Sequence, residues 1–309
     1  MVPLRSFAAF PLVAALVGCA AVDSPTAVAP PQVFFDDFSY ASPADMAPAG
    51  WQLRDGTGHP GLPGGRFAAD AITLVDDPLQ PGNRVLRMTA RTDGSGPGTV
   101  QAQLCHQRKY LQGTYAARIR FSDAPRSGID GDPVIESFYA VAPLARPFDP
   151  DFSELDWEYL PNGGWGSDRT RLYGVSWQTV QLDPWEAHNS AHEEFASFDG
   201  WHVLLMQVTK NAVHEFVDGR EVAVHDGRNV PVSPMTISFN LWFAVGGTLP
   251  TGGTPRVYDE DVDWVFHAKD RVLSPADVDA QVRALRAGHV PRTDTVPAPV
   301  PALPQRCDI

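Results

Sequence analysis

Cysteine is scarce in this chain. Its 309 residues include three, Cys19, Cys105 and Cys307, and no CxxC pair. That excludes a zinc ribbon and a thioredoxin-type dithiol, which both need closely spaced thiols. Positive charge is short as well: 24 Lys and Arg stand against 37 Asp and Glu, a net charge of −13. Phosphate binding needs clustered cations, so nucleic acid is not an expected partner. The sequence has no P-loop and no GxSxG elbow. It also has no internal repeat with a period of roughly 30–50 residues. The one long apolar run, Phe7 to Val17, is too short to span a bilayer as a helix.

Glycine (26) and proline (29) are plentiful, so turns are many, and 43% hydrophobic residues suffice for a sizeable core. From residue 33 the pattern is of short strands. Runs rich in Val, Ile, Phe, Tyr and Trp alternate with polar residues between Gly/Pro/Asp clusters. The expected strands include Arg84 to Arg91, Gly113 to Phe121, Val134 to Val141, Glu154 to Leu160 and His202 to Thr209. Further ones are Val213 to Val217, Met235 to Trp242 and Asp261 to His267, and Asp218-Gly219 signals a hairpin. Strands this short and this numerous imply an all-β, two-sheet antiparallel β-sandwich. One helix is expected near the end. Ser274-Pro275-Ala276-Asp277 supplies an N-cap, a first-turn proline and a capping-box acid. Val278, Val282 and Leu285 form its apolar stripe, and Gly288 stops it.

The beginning of the chain has the layout of an export signal, with Arg5 ahead of the apolar run. The run ends in Leu16-Val17-Gly18-Cys19, which resembles the lipobox of bacterial lipoproteins. The resemblance implies lipidation of Cys19 and attachment to a membrane surface. The expected organisation is a signal peptide at 1–18, a tether at 19–32, the sandwich at 33–270, and a helix with a loose Pro-rich tail at 271–309. An oxidising compartment permits Cys105 and Cys307 to pair, but their spacing does not place them together.

The most informative stretch is Ser153-Glu154-Leu155-Asp156-Trp157-Glu158-Tyr159-Leu160. Strand alternation puts Glu154, Asp156 and Glu158 on one face and Leu155, Trp157 and Tyr159 on the other. Three acids in a row repel one another unless they share protons or hydrogen bonds. Fold stability gives no reason for such a row. Solvated acids on an exposed strand, or a calcium site, are the plainer readings. Retaining glycoside hydrolysis is the reading with chemical content, because it needs two carboxyl groups roughly 5–5.5 Å apart. Glu154 and Glu158 lie about 13 Å apart at Cα, and inward-reaching side chains can close that gap.

Glu154-Leu155-Asp156-Trp157-Glu158 resembles the E-x-D-x-E signature of glycoside hydrolase family 16. Other segments resemble that family in the same order: Phe35 to Phe38, Gly113 to Ile119, Ser137 to Tyr139 and Trp201-His202. Phe216 to Gly219, Asn240 to Trp242 and Val262 to Val265 complete the series. The resemblance implies a concanavalin-like β-jelly roll with Glu154 as nucleophile, Glu158 as general acid/base and Asp156 assisting the nucleophile. It implies a β-linked polysaccharide as substrate, most like the lichenase and xyloglucan-enzyme branch. No cofactor is implied, and a monomer is expected. Ala116 and Val208 depart from the family pattern and leave the glycan open. A transglycosylase, or a non-catalytic glycan-binding lipoprotein on the same fold, are the alternatives.

Sugar rings stack on aromatic faces, so a glycan cleft calls for aromatic platforms. Asn240 and Trp242 share a strand face, which the resemblance makes the cleft face. Tyr139, Trp177 and the turn residue Trp165 are further substrate-binding candidates, while Trp157 and Trp264 read as core. His188 and His192 have the i, i+4 spacing of helical metal ligands but lie outside any HExxH motif. They read as part of a polar loop, with no metal.

Overall fold

The computed structural model describes Met1, Pro3 and residues 30–308. The signal segment, Cys19 and most of the tether lie outside the described residues. In chain order the strands are β1 Val33–Asp36, β2 Trp51–Leu53, β3 Arg66–Phe67, β4 Ile72–Asp76, β5 Arg84–Thr92 and β6 Val100–His106. They continue with β7 Gly113–Phe121, β8 Val134–Val141, β9 Glu154–Leu160, β10 Arg171–Leu182, β11 Trp185–Glu194 and β12 Gly200–Val208. The last are β13 Ala212–Val217, β14 Arg220–Asp226, β15 Ser238–Phe243, β16 Arg256–Lys269 and β17 Arg292–Asp294.

Two mostly antiparallel sheets result, as the strand pattern implied. The front sheet runs β2-β6-β15-β8-β9-β10-β11. The back sheet runs β4-β5-β16-β7-β12-β13-β14, with β1 pairing the second half of β16 and β17 pairing β1. Strand β6 belongs to both: its start pairs β3 and β5, and its end pairs β15 and β2.

The core lies between the sheets. Alternate residues of β9 (Leu155, Trp157, Tyr159), β8 (Val134, Phe138, Ala140) and β15 (Phe239, Leu241, Phe243) meet Tyr115, Ala117 and Ile119 of β7 there. The helix α1, Pro275–Ala287, has the expected capping box between Ser274 and Asp277. It covers the outer face of the back sheet, where Val278 and Val282 bury against Phe35, Leu205, Trp264 and Phe266. Trp264 is therefore buried, but beneath the helix and not between the sheets.

Several local expectations need correction. His188 and His192 lie in β11, not in a loop, and their spacing on an extended strand puts them about 13 Å apart. Each faces its own neighbour instead, His188 with Glu186 and His192 with Glu194. Strand β16 starts earlier than Asp261, and Met235 sits in an isolated bridge with Tyr110 ahead of β15. The Pro-rich tail is not loose. Arg292–Asp294 forms β17, Val296 is buried, and Cys307 is disulfide-bonded to Cys105 across 202 positions of sequence.

Two carboxyl groups sit in the core itself. Glu136 on β8 and Glu260 on β16 are both fully buried. Glu136 accepts the Ser122 backbone N–H at 3.1 Å, while the Glu260 carboxyl has no partner among the described residues. Burial pushes both pKa values well up, and Glu260 is raised further by Glu136. A raised acid costs nothing below its unfolded pKa. As pH climbs above that value, the unfolded chain releases the proton and the folded chain cannot. Stability therefore falls with rising pH until the folded pKa is passed. Glu260→Gln should gain on the wild type by about 1.4 kcal/mol per pH unit above pH 5. Denaturant titrations at pH 4.5 and 7.5 check this, and an equal difference at both pH values would refute it. Replacing both Cys105 and Cys307 by Ser should cost roughly 2–5 kcal/mol, because the bridge closes a very long loop in the unfolded chain. Unfolding midpoints of the two forms, with m-values compared, provide the measurement.

Candidate active site

The side chains that β9 does not bury face outward from the front sheet. Pairing register extends them into rows across neighbouring strands. Glu158 lies opposite Tyr173 of β10 on one side and Ser137 of β8 on the other. Asn240 of β15 and Gln103 of β6 continue that row. Asp156 lies between Val175 and Tyr139, and Glu154 between Trp177 and Val141. A cleft of about 610 Å³ runs across these strands, from Gln103 on β6 to Asn189 on β11, with all three acids among its lining residues.

Two apolar clusters flank the acids. Beside Glu154, Trp177 packs with Tyr139, Val141 and Val180. A bulge in β10 between Trp177 and Thr179 interrupts the alternation and lets both Trp177 and Val180 line the cleft. Beside Glu158, Trp242 packs with Phe67, Leu160 and Tyr173. The turn after β9 brings Trp165, 51% exposed, against the Tyr173 ring at 5.6 Å. That turn needs left-handed backbone at Gly163, where a Cβ would lie 2.2 Å from the Ser167 carbonyl.

Hydrogen bonds set the character of each acid. Asp156, 6% exposed, accepts the Trp177 indole N–H at 2.5 Å. Burial pushes its pKa well above the usual carboxylate range, and Glu154 and Glu158 push it further. Burial likewise raises Glu154 to about 8, with repulsion from Glu158 adding to the shift. Glu158 rises to about 7 by burial, moderated by the Arg171 guanidinium. All three acids are thus held above the ordinary carboxylate range, and the outer pair, at about 8 and about 7, shares a proton near neutral pH.

The expected catalytic and substrate-binding residues all line this cleft: Glu154, Asp156, Glu158, Asn240, Trp242, Tyr139, Trp177 and Trp165. Their circumstances differ. The Tyr139 hydroxyl is already engaged, donating to the Cys307 carbonyl and accepting from Gln103. In contrast, Asn240 Oδ1, Trp242 Nε1 and Ser137 Oγ have no partner among the described residues. Tyr173 and Trp185 also line the cleft, and Arg171 braces it. Tyr173 sits at strand spacing from Trp177, a period-two signal that was available. Trp185 lies at the tip of the β10–β11 hairpin, 60% exposed and 6.2 Å from Trp177. Arg171 ties this region together by donating to the Gly164 carbonyl at 2.8 Å and to Glu193 at 3.2 Å. Among the described residues no cluster of His, Cys, Asp and Glu is arranged to hold a metal ion.

Comparison with protein-family models and with curated protein sequences gives no match. Comparison with solved structures does. A Bacillus licheniformis β-glucanase aligns over 77% of this chain and 98% of its own, at 19% identity and a TM-score of 0.53. A glycoside hydrolase family 16 protein from the mixed-linkage-glucan locus of Bacteroides ovatus, solved with a product, covers 75% and 98% at 14% identity, TM-score 0.57. A structure reported with endo-acting O-glycanases of the human gut microbiota, which initiate mucin breakdown, covers 80% and 92% at 11% identity, TM-score 0.55. The chain thus has the jelly-roll fold of these proteins.

Arg171 moderates Glu158, so its removal has a defined consequence. In Arg171→Met the Glu158 carboxyl should titrate higher, by roughly half a unit to one unit. Carbon-13 NMR titration of the glutamate carboxyls reads this directly. An unmoved Glu158 would show that Arg171 serves only to hold the Trp165 turn.

Proposed function

We propose that this protein is a retaining glycoside hydrolase of the family 16 type, acting on a β-linked polysaccharide of the β-glucan kind. The observation that carries the reading is the row Glu154-Asp156-Glu158 on the floor of an aromatic-walled cleft, each acid held above its ordinary pKa. Burying three acids is costly, and chemistry that needs both a protonated and an ionised carboxyl accounts for it. The fold likeness to β-glucanases supports the same reading. So do the unpartnered polar atoms of Ser137, Asn240 and Trp242, which a hydroxyl-rich ligand would satisfy.

The reacting form has Glu154 ionised and Glu158 protonated, the less populated of the two singly protonated forms because Glu154 is raised further than Glu158. From it Glu154 attacks the anomeric carbon while Glu158 protonates the departing glycosidic oxygen. Asp156 keeps its proton and can donate it toward Glu154, which steadies the nucleophile without adding charge. Glu158, now ionised, takes a proton from an incoming water. That water displaces Glu154 from the glycosyl-enzyme and restores the starting state. Trp177, Trp242, Trp165 and the Tyr139 ring offer faces for stacking sugar rings. Export, lipidation at Cys19 and display on a membrane surface as a monomer belong to the same proposal. The sequence of the first 19 residues supports the export and lipidation part of it.

The reacting state needs one proton on the outer pair. Activity should therefore follow a bell whose limbs lie near pH 7 and 8, above the ordinary carboxylate range. Glu158→Gln should lower kcat/KM by about 10²–10⁴-fold and Glu154→Gln by at least as much. The assay is product release from mixed-linkage glucan, laminarin, xyloglucan and galactans, with proton NMR of the first anomer formed. A wild type that binds a glycan yet cleaves none, or a first product of inverted configuration, would sink the proposal.

A further inference from the structure

The cleft is open at one end and occupied at the other. Toward β11 it continues over Trp177 to the exposed Trp185. Toward β6 it meets the segment Gln305–Asp308, whose Cys307 and Asp308 join the lining. The row containing Asp156 runs through Tyr139 and Ser238 to Cys105, so the disulfide rises from the same sheet face as the acids. The Cys307 carbonyl accepts from the Tyr139 hydroxyl and from Gln103 Nε2, the latter at 3.0 Å. Gln103 is the last residue of the polar row that begins at Glu158.

This segment is built in, not laid on. Gln305 Nε2 donates to the Cys105 carbonyl at 2.8 Å and to the Gly50 carbonyl at 3.1 Å. Asp308 pairs with Arg54 at 3.0 Å, and Arg54 in turn donates to Gln103 Oε1 at 2.6 Å. Arg54 also lies 4.1 Å over the Phe67 ring, which belongs to the cluster that supports Trp242. The loop His59 to Gly61 lines the cleft beside it. A covalent bond, a salt bridge and several hydrogen bonds thus hold a short stretch of main chain across one end of the groove.

From these contacts we infer that Gln305–Asp308 is a specificity-determining end wall, which makes the enzyme act from chain ends and release short products of set length. The inference rests on the hydrolase reading above. Three strand spacings separate β9 from β6, roughly 14 Å. A hexose unit spans roughly 5 Å, an estimate from ring bonds of about 1.5 Å. The Cys307 carbonyl reaches in to the Tyr139 hydroxyl from β8, which shortens this span. At most about two units therefore fit between the acids and the wall, over Ser137, Asn240 and Trp242. A longer chain on that side would have to displace the Cys307 carbonyl. On the β10–β11 side the polymer can run out past Trp185.

The test compares the full chain with a form lacking residues 304–309 in a Cys105→Ser background. A Cys105→Ser, Cys307→Ser double variant serves as the milder release of the same wall. On a soluble β-glucan the full chain should yield products of about two units while viscosity falls slowly per bond cleaved. The opened forms should yield longer, mixed products and lower viscosity several-fold faster per bond. Glu154→Gln versions then measure binding stoichiometry on a glucan of known length by calorimetry, independently of turnover. The walled form should bind about once per polymer chain and the opened form several times. A full chain that cuts polymer interiors, or unchanged product lengths in active opened forms, overturns the wall and leaves the hydrolase reading intact. A shift in stoichiometry without any hydrolysis supports the wall and removes the catalytic reading. Equal stoichiometry, or no binding, overturns the inference.

Discussion

Burial of Leu155, Trp157 and Tyr159 between the two sheets is the constraint on which the site depends. A strand has two faces, and committing one to the core leaves the residues between them no choice. A slip of one position would drive three carboxyls into an apolar layer and expose a tryptophan, at a cost of many kcal/mol. The register of β9 is thus set by hydrophobic burial, and the acids inherit their placement from it. The same logic extends sideways. Tyr173, Ser137, Asn240 and Gln103 reach the cleft because their own strands bury the alternate residues and pair in step with β9.

The electrostatics follow from the placement. Three acids on one strand face cannot all ionise in a groove walled by Trp177, Trp242 and Val180. Trp177 supplies one indole N–H to Asp156, which limits the penalty without cancelling it. Arg171 tempers Glu158 from the neighbouring strand. Neither interaction turns the row into an ordinary set of surface carboxylates. The outcome is a site that holds protons near neutrality, which is the condition that acid/base chemistry on a glycosidic bond requires.

Much of this was legible in the sequence, and the failures have physical causes. Gly113–Phe121, Val134–Val141 and Glu154–Leu160 are readable to the residue, because the first and third alternate, the second is a short run rich in β-branched and aromatic residues, and turn formers bound them. Strand β11 looks like a loop in sequence because Trp185–Glu194 forms the polar edge of the front sheet, with mostly exposed side chains and little apolar alternation. Residues 291–309 looked loose because proline and polarity suggest solvent. What holds them is a bond to Cys105 and a strand pairing to β1, both set by distant residues that local pattern does not report. The acid row was visible as a row. The engagement of Tyr139 by Cys307, and the approach of Arg171 to Glu158, depend on which strands become neighbours, and that is a property of the whole topology.

The Cys105–Cys307 bond also decides how the molecule bears load. It closes a covalent ring through which β7 to β17 and the helix are threaded in sequence. Tension applied between residue 33 and residue 308 would cross from one sulfur to the other and bypass that ring. Only β1 to β6 could be drawn out, while the strands carrying the acids would stay slack. Under such tension the N-terminal strands would yield first and take the β6 end of the groove with them, while β8, β9 and β10 kept the acids in register.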